Sequence, residues 1–116
     1  MIETIGDKLV EILADTIAIA QDQDGQDRYP YAVYSLDVAP AYVKGAVYKY
    51  SGMMYIYIYA DTASEALTLR NAVEGIIAES MQDGQYRSRL TSATSNDDNG
   101  KYVQTLEYSI AQFNIE

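Results

Sequence analysis

The stretch "MMYIYIYADTASEAL", residues 53–67, alternates tyrosine with isoleucine and then turns polar and alanine-rich. Period-two alternation puts Ile56 and Ile58 on one face of a strand and Tyr55, Tyr57 and Tyr59 on the other. The period then changes. Thr62, followed three residues later by Glu65, has the spacing of a helix capping box. Ala66, Leu69, Val73, Ile76, Ile77 and Ser80 recur at helical intervals, and Gly84 is a plausible C-terminal stop. A strand therefore runs into an amphipathic helix whose apolar stripe needs the strand's aliphatic face. Gly75 inside that helix costs about 1 kcal/mol against alanine, which close packing on the sheet would explain.

Working backwards, Ser51-Gly52 reads as a two-residue turn joining a strand over 42–50 to one over 53–60. In that register Tyr48 faces Tyr55 and Val47 faces Ile56. Val43, Val47, Ile56 and Ile58 then make an aliphatic face. Tyr48, Tyr50, Tyr55, Tyr57 and Tyr59, with Lys44 and Ala46, make the opposite one. Residues 31–38, bracketed by Pro30 and Pro40, form an earlier strand, and "QDQDGQDRYP" (21–30) is a polar loop. Residues 2–20 carry Ile2, Ile5, Leu9, Ile12, Thr16 and Ala20 at helical spacing, widened by Leu13 and Ile17, so an amphipathic helix is expected there. Towards the C-terminus, 85–95 and 101–115 read as two strands around "NDDNG", in which Asn99-Gly100 is a strong hairpin turn. Spacing leaves that loop at two residues or four. Tyr102, Leu106, Tyr108 and Ile110 share one face of the last strand. The expected fold is a single α+β domain over 1–116, a mostly antiparallel sheet of about five strands with two helices on one face, in the order α-β-β-β-α-β-β.

Composition narrows function by exclusion. The chain has 116 residues, the size of one domain, and a formal charge of −9. With no Lys/Arg stripe, such a protein repels nucleic-acid phosphates, which argues against sequence-specific DNA or RNA binding. No apolar run approaches the ~20 residues that cross a bilayer, and no signal-peptide pattern opens the chain, so synthesis in a cytosol without membrane association is expected. There is no cysteine and no histidine, which removes disulfides, thiolate zinc sites and imidazole chemistry. Asp22, Asp24 and Asp27 surround Gly25, but an EF-hand frame would put Tyr31 where the bidentate glutamate belongs, so the segment reads as a solvated acidic loop. The glycines are scattered, with no phosphate loop, and no serine has a partner that would activate it. The expectation is a protein without catalytic residues, cofactor or metal, and not an enzyme.

What remains is the tyrosine face. A fully buried tyrosine brings ~150–250 Å², so three or four approach the ~800 Å² each partner gives to a standard interface. The two helices already have the aliphatic face to cover. Tyr48, Tyr50, Tyr55, Tyr57 and Tyr59 are therefore candidate subunit-interface residues.

Three stretches together, "YPYAVYS" (29–35), "YIYIYADTASEALTLRNAVEGIIA" (55–78) and "DDNGKYVQTLEYSIAQF" (97–113), resemble the phage tail terminator, or tail completion, family of the lambda minor tail protein U type. The resemblance implies a structural role in a phage or prophage tail. Such proteins form a ring, usually of six copies, that caps the tail tube, stops its elongation and meets the head–neck connector. DNA slides through the lumen as non-specific cargo. Assembly in the host bacterial cytoplasm and a final place in the virion tail follow from the same resemblance. An acidic surface suits that lumen, and head-to-tail ring contacts need two different complementary surfaces on each subunit. The tyrosine density over 48–59 exceeds the family pattern. Two other readings share the same residues: another head–tail joining or tail subunit, and a small α+β binding module with acidic loops.

Overall fold

Two long antiparallel hairpins build the sheet. The computed structural model of the chain describes residues 5–21, 30–43, 45–82, 86–98 and 101–113. The elements run α1 (Ile5–Leu13), β1 (Ala18–Gln21), β2 (Tyr31–Val43), β3 (Ala46–Ala60), α2 (Ala63–Ser80), β4 (Tyr86–Asp98) and β5 (Lys101–Phe113). The spatial order is β1-β2-β3-β5-β4. The four long strands are antiparallel to their neighbours, and β1 is a four-residue strand added in parallel along β2. Both helices lie on one face, so the α+β architecture holds, with an antiparallel sheet of four strands and one short parallel addition.

The string of elements matches expectation through a different partition of the chain. Ser51-Gly52 is not a turn: 46–60 is one strand, and the reversal falls between Val43 and Ala46, where Gly45 has φ +82. A left-handed residue suits glycine and the tight connection of a hairpin. Gly52 instead sits in mid-strand, paired to Val38 on one side and Ile110 on the other. A Cβ there would overlap the Asp37 carbonyl oxygen and come within 2.9 Å of Val38 Cα. Close backbone approach is the other standard use of a strand glycine.

The missing strand is recovered from the end of the first helix. That helix stops at Leu13, whose carbonyl accepts the N–H groups of both Thr16 and Ile17 at 3.0 Å. Ala18–Gln21 then pairs with Tyr31–Tyr34. "TIAIAQ" alternates as well as it repeats helically, and the free edge of β2 decides in favour of the strand.

Elsewhere the local rules hold. Thr62 caps α2 by accepting the Glu65 N–H at 3.1 Å. The helix closes at Ser80, with the Met81 N–H donating to the Ile77 carbonyl at 2.9 Å; Gly84 lies outside the described residues. Asp98 pairs with Lys101, so the second hairpin has a two-residue connection. Thr91 is an extra residue in β4, and its hydroxyl donates to the Glu107 carbonyl at 3.1 Å beside the bulge. Leu9, Leu13, Met54, Ile56, Ile58, Val73, Ile77, Met81 and Leu106 are fully buried between helices and sheet. Ser88 fixes the end of α2 to β4: its hydroxyl donates to the Met81 carbonyl at 3.1 Å, and its own carbonyl accepts from Gln82.

Candidate assembly surfaces

Alternation along β3 separates two very different faces. Met54, Ile56, Ile58 and Ala60 point under the helices and are fully buried. Met53, Tyr55, Tyr57 and Tyr59 point the other way, and no helix of the described residues covers them. They are half-buried by their cross-strand neighbours: Tyr55 sits between Ser35 and Glu107, Tyr57 between Val33 and Thr105, and Tyr59 between Tyr31 and Val103. The rings of Tyr31 and Tyr59 stack, with centroids 4.8 Å apart and planes at 16°. The result is an aromatic ridge across three central strands, set by the pleat and half-buried, with Tyr31, Val33 and Val103 buried beside it.

Three of the five candidate tyrosines belong to it. Because β3 is continuous, Tyr50 shares its parity with Met54 and Ile56 and lies on the helix side, 40% exposed beyond the reach of the core. Tyr48 is the extra residue where the β2–β3 register shifts, and its side chain lies outside the described residues. Grouping all five on one face followed from placing the turn at Ser51-Gly52, which folds 42–50 back and inverts its facing relative to 53–60.

Three apolar side chains escaped attention in the sequence: Tyr42 is 63% exposed near the tip of the β2–β3 hairpin, and Leu67 and Leu90 are 46% and 39% exposed. The two leucines border a trough. The helix α2 rests on β3 and β5, and past the buried Tyr86 and Ser88 the edge strand β4 stands exposed beside it. One depression of about 360 Å³ is lined by Ala63, Leu67, Ser95, Asn96, Tyr102 and Gln104. A second of about 230 Å³ lies between Glu74, Ala78, Gln82, Ser88, Leu90 and Tyr108. Arg70 stands on α2 between them, donating to Gln104 Oε1 at 3.1 Å, with its Nε 3.9 Å from the Glu74 carboxylate. The Ser95 hydroxyl donates to the same Gln104 oxygen at 2.9 Å. Burial, with the nearby Glu74 charge, pushes the Tyr108 phenol well above the ordinary tyrosine range. Leu67 stands off the helix's buried stripe and Leu90 is the one large aliphatic in "QYRSRLTSATS"; those were the traces available in the sequence.

No side-chain group with metal-ligand composition assembles among the described residues, and Asp22, Asp24 and Asp27 lie outside them. No helix of the described residues is long and apolar enough to cross a membrane.

The chain is a small α+β domain whose fold is shared with other solved chains. A chain from the virion of a native gene transfer agent particle superimposes with a TM-score of 0.51 at 13% identity, over 90% of this chain and 84% of that one. A second solved chain, which bears no functional name, superimposes with a TM-score of 0.51 at 15% identity over 97% and 90%. At such identities the likeness establishes a shared fold. No family model matches the sequence, and no curated protein matches it either.

Proposed function

We propose that this chain is a structural protein of a tailed-phage-type particle and, within it, a tail terminator. In this reading a ring of six copies caps the tail tube, stops its growth and offers a surface to the head–neck connector. The observation that carries the reading is the fold shared with a chain of a gene transfer agent virion over nearly the whole length. The ridge of Tyr55, Tyr57 and Tyr59 supports it, as a half-buried aromatic face that no helix of the described residues covers. The charge of −9 supports it too, since DNA passing a lumen must not adhere to the wall. The role is one of contact alone, without catalysis, metal or cofactor. The protein is assembled in the host cytoplasm and ends in the virion tail.

Native mass spectrometry across a concentration series, with and without purified tail tubes, tests this reading. A closed species of six copies, or six copies bound per tube end, is the expected result. Binding along the whole tube would make the protein a tube subunit instead. Tyr55→Ser with Tyr57→Ser should abolish attachment while the monomer stays folded. Intact assembly in that variant would remove the ridge from the contact.

A further inference from the structure

The smaller of the two depressions beside α2 gathers hydrogen-bond acceptors that nothing uses. It has a volume of about 230 Å³ and lies between Glu74, Ala78, Gln82, Ser88, Leu90 and Tyr108. Tyr108 is 4% exposed, yet its hydroxyl has no hydrogen-bond partner among the described residues and opens onto this space. A buried hydroxyl left unpaired is costly, so its place here calls for an explanation. Burial and the Glu74 charge keep the phenol protonated, and its oxygen is a neutral acceptor.

The neighbouring donors are already taken. The Gln82 side-chain nitrogen donates to the carbonyl and to the hydroxyl oxygen of Ser88, and the Ser88 hydroxyl donates to the Met81 carbonyl at 3.1 Å. A carbonyl cannot donate, so the Gln82 group facing the Ser88 carbonyl must be its nitrogen, which leaves the Gln82 oxygen free at the rim. The Glu74 carboxylate makes no hydrogen bond among the described residues: Arg70 Nε stands 3.9 Å away, outside hydrogen-bond range, and Arg70 donates to Gln104 instead. Arg70 lies one turn towards the start of α2, whereas the depression opens the other way, towards Ala78 and Gln82. There the last carbonyls of the helix carry partial negative charge, and no basic residue occupies the last turn to offset it.

We propose that this depression is a binding site for a primary alkylammonium group. Its three N–H donors meet the Glu74 carboxylate, the Tyr108 phenol oxygen and the Gln82 amide oxygen, and its alkyl stem lies along Leu90 and Ala78. The volume falls below the ~300 Å³ at which clefts for larger ligands begin, so the site takes a charged head with a short stem. Two sources carry such a group, a free amine and a lysine of a second copy of this chain. The site stands on its own geometry and does not depend on the terminator reading.

A net charge of −9 attracts every cation, so the test must separate a site from a field. Butylammonium is titrated into isotope-labelled protein and followed by NMR, beside tetramethylammonium, which has the charge but no N–H donor. Butylammonium should give saturable shifts at the Ala78 and Leu90 amides and the Gln82 side chain, with a dissociation constant in the millimolar range. Tetramethylammonium should bind about tenfold more weakly or worse, for want of charge-assisted hydrogen bonds. Glu74→Gln should weaken butylammonium about tenfold or more. Glu79→Gln removes the same charge from an exposed position on the same helix and should change it by less than about twofold. Tyr108→Phe should weaken binding severalfold and unfold at no lower urea concentration than the parent, since the hydroxyl has no partner to lose. Shifts that do not saturate, equal responses to the two cations, or equal effects of Glu74→Gln and Glu79→Gln would reduce the effect to general attraction and overturn the proposal. A lower urea midpoint for Tyr108→Phe would show the hydroxyl already paired and overturn it as well. If the same amides also move as the protein alone is concentrated, the ammonium is a lysine of a second copy; constancy assigns the site to a free amine, and both outcomes keep it.

Discussion

The β2–β3 and β4–β5 hairpins share a plan: strands of thirteen to fifteen residues closed by short connections, one between Val43 and Ala46, the other between Asp98 and Lys101. Their chemistry differs. The first is aromatic and aliphatic on both faces, and its strand β3 buries Met54, Ile56 and Ile58 completely. In the second, β5 buries Leu106 and Ile110, while β4 exposes Arg87, Arg89, Thr91 and Thr94 and carries the bulge. A central strand supplies the core, whereas an edge strand must avoid recruiting another strand, and charge with a bulge achieves that. The same contrast explains why α2 packs chiefly on β3 and β5: past Tyr86 and Ser88, β4 offers little apolar surface to cover.

That contrast breaks first at one aliphatic side chain on each hairpin. Ile56→Ala on β3 should cost about 2–5 kcal/mol, the range for truncating a fully buried aliphatic. Leu90→Ala on β4 should cost under about 1 kcal/mol, as expected at an exposed position on an edge strand. Urea unfolding of both variants checks the difference, and equal costs would mean that β4 is covered in solution.

The next largest effect concerns the two glycines of the first hairpin. Gly52→Ala should cost about 3 kcal/mol, because its Cβ meets β2 backbone that cannot turn aside. Gly45→Ala should cost about 1 kcal/mol, the penalty of a left-handed position with open space around it. The reverse order in thermal or urea unfolding would put the reversal at 51–52 and restore Tyr50 to the tyrosine face.

Those glycines also show what a sequence can decide. Alternation over 53–60 separated Ile56 and Ile58 from Tyr55, Tyr57 and Tyr59 wherever the turn lay, so the aromatic ridge was legible. The cap at Thr62 and the stripe through Ala66, Val73 and Ile77 were legible because a helix end and a helix face are local patterns. Asn99-Gly100 marked the second hairpin without a competitor. The first hairpin offered two glycines, and "AVY" at 46–48 is apolar on both faces, so alternation could not choose between them. Proximity of β2 to Gly52 made the choice, and proximity is a tertiary fact. The strand Ala18–Gln21 was hidden for the same reason: four residues cannot declare themselves, and the edge they complete belongs to β2.

The smallest effect tests the helix between the hairpins. Gly75 invited explanation by close packing, but it is exposed, and a Cβ placed on it meets no atom within 4 Å. It stands on the side of α2 away from Ala66, Val73 and Ile77, which face the sheet. Nothing in the monomer offsets its cost, so Gly75→Ala should stabilise the protein by up to about 1 kcal/mol, read as a higher urea midpoint with unchanged slope. Assembly of the same variant carries further information. A stabler monomer that still closes its ring would make the outer side of α2 plain solvent surface. A stabler monomer that no longer assembles would mean that another subunit approaches the helix closely at Gly75.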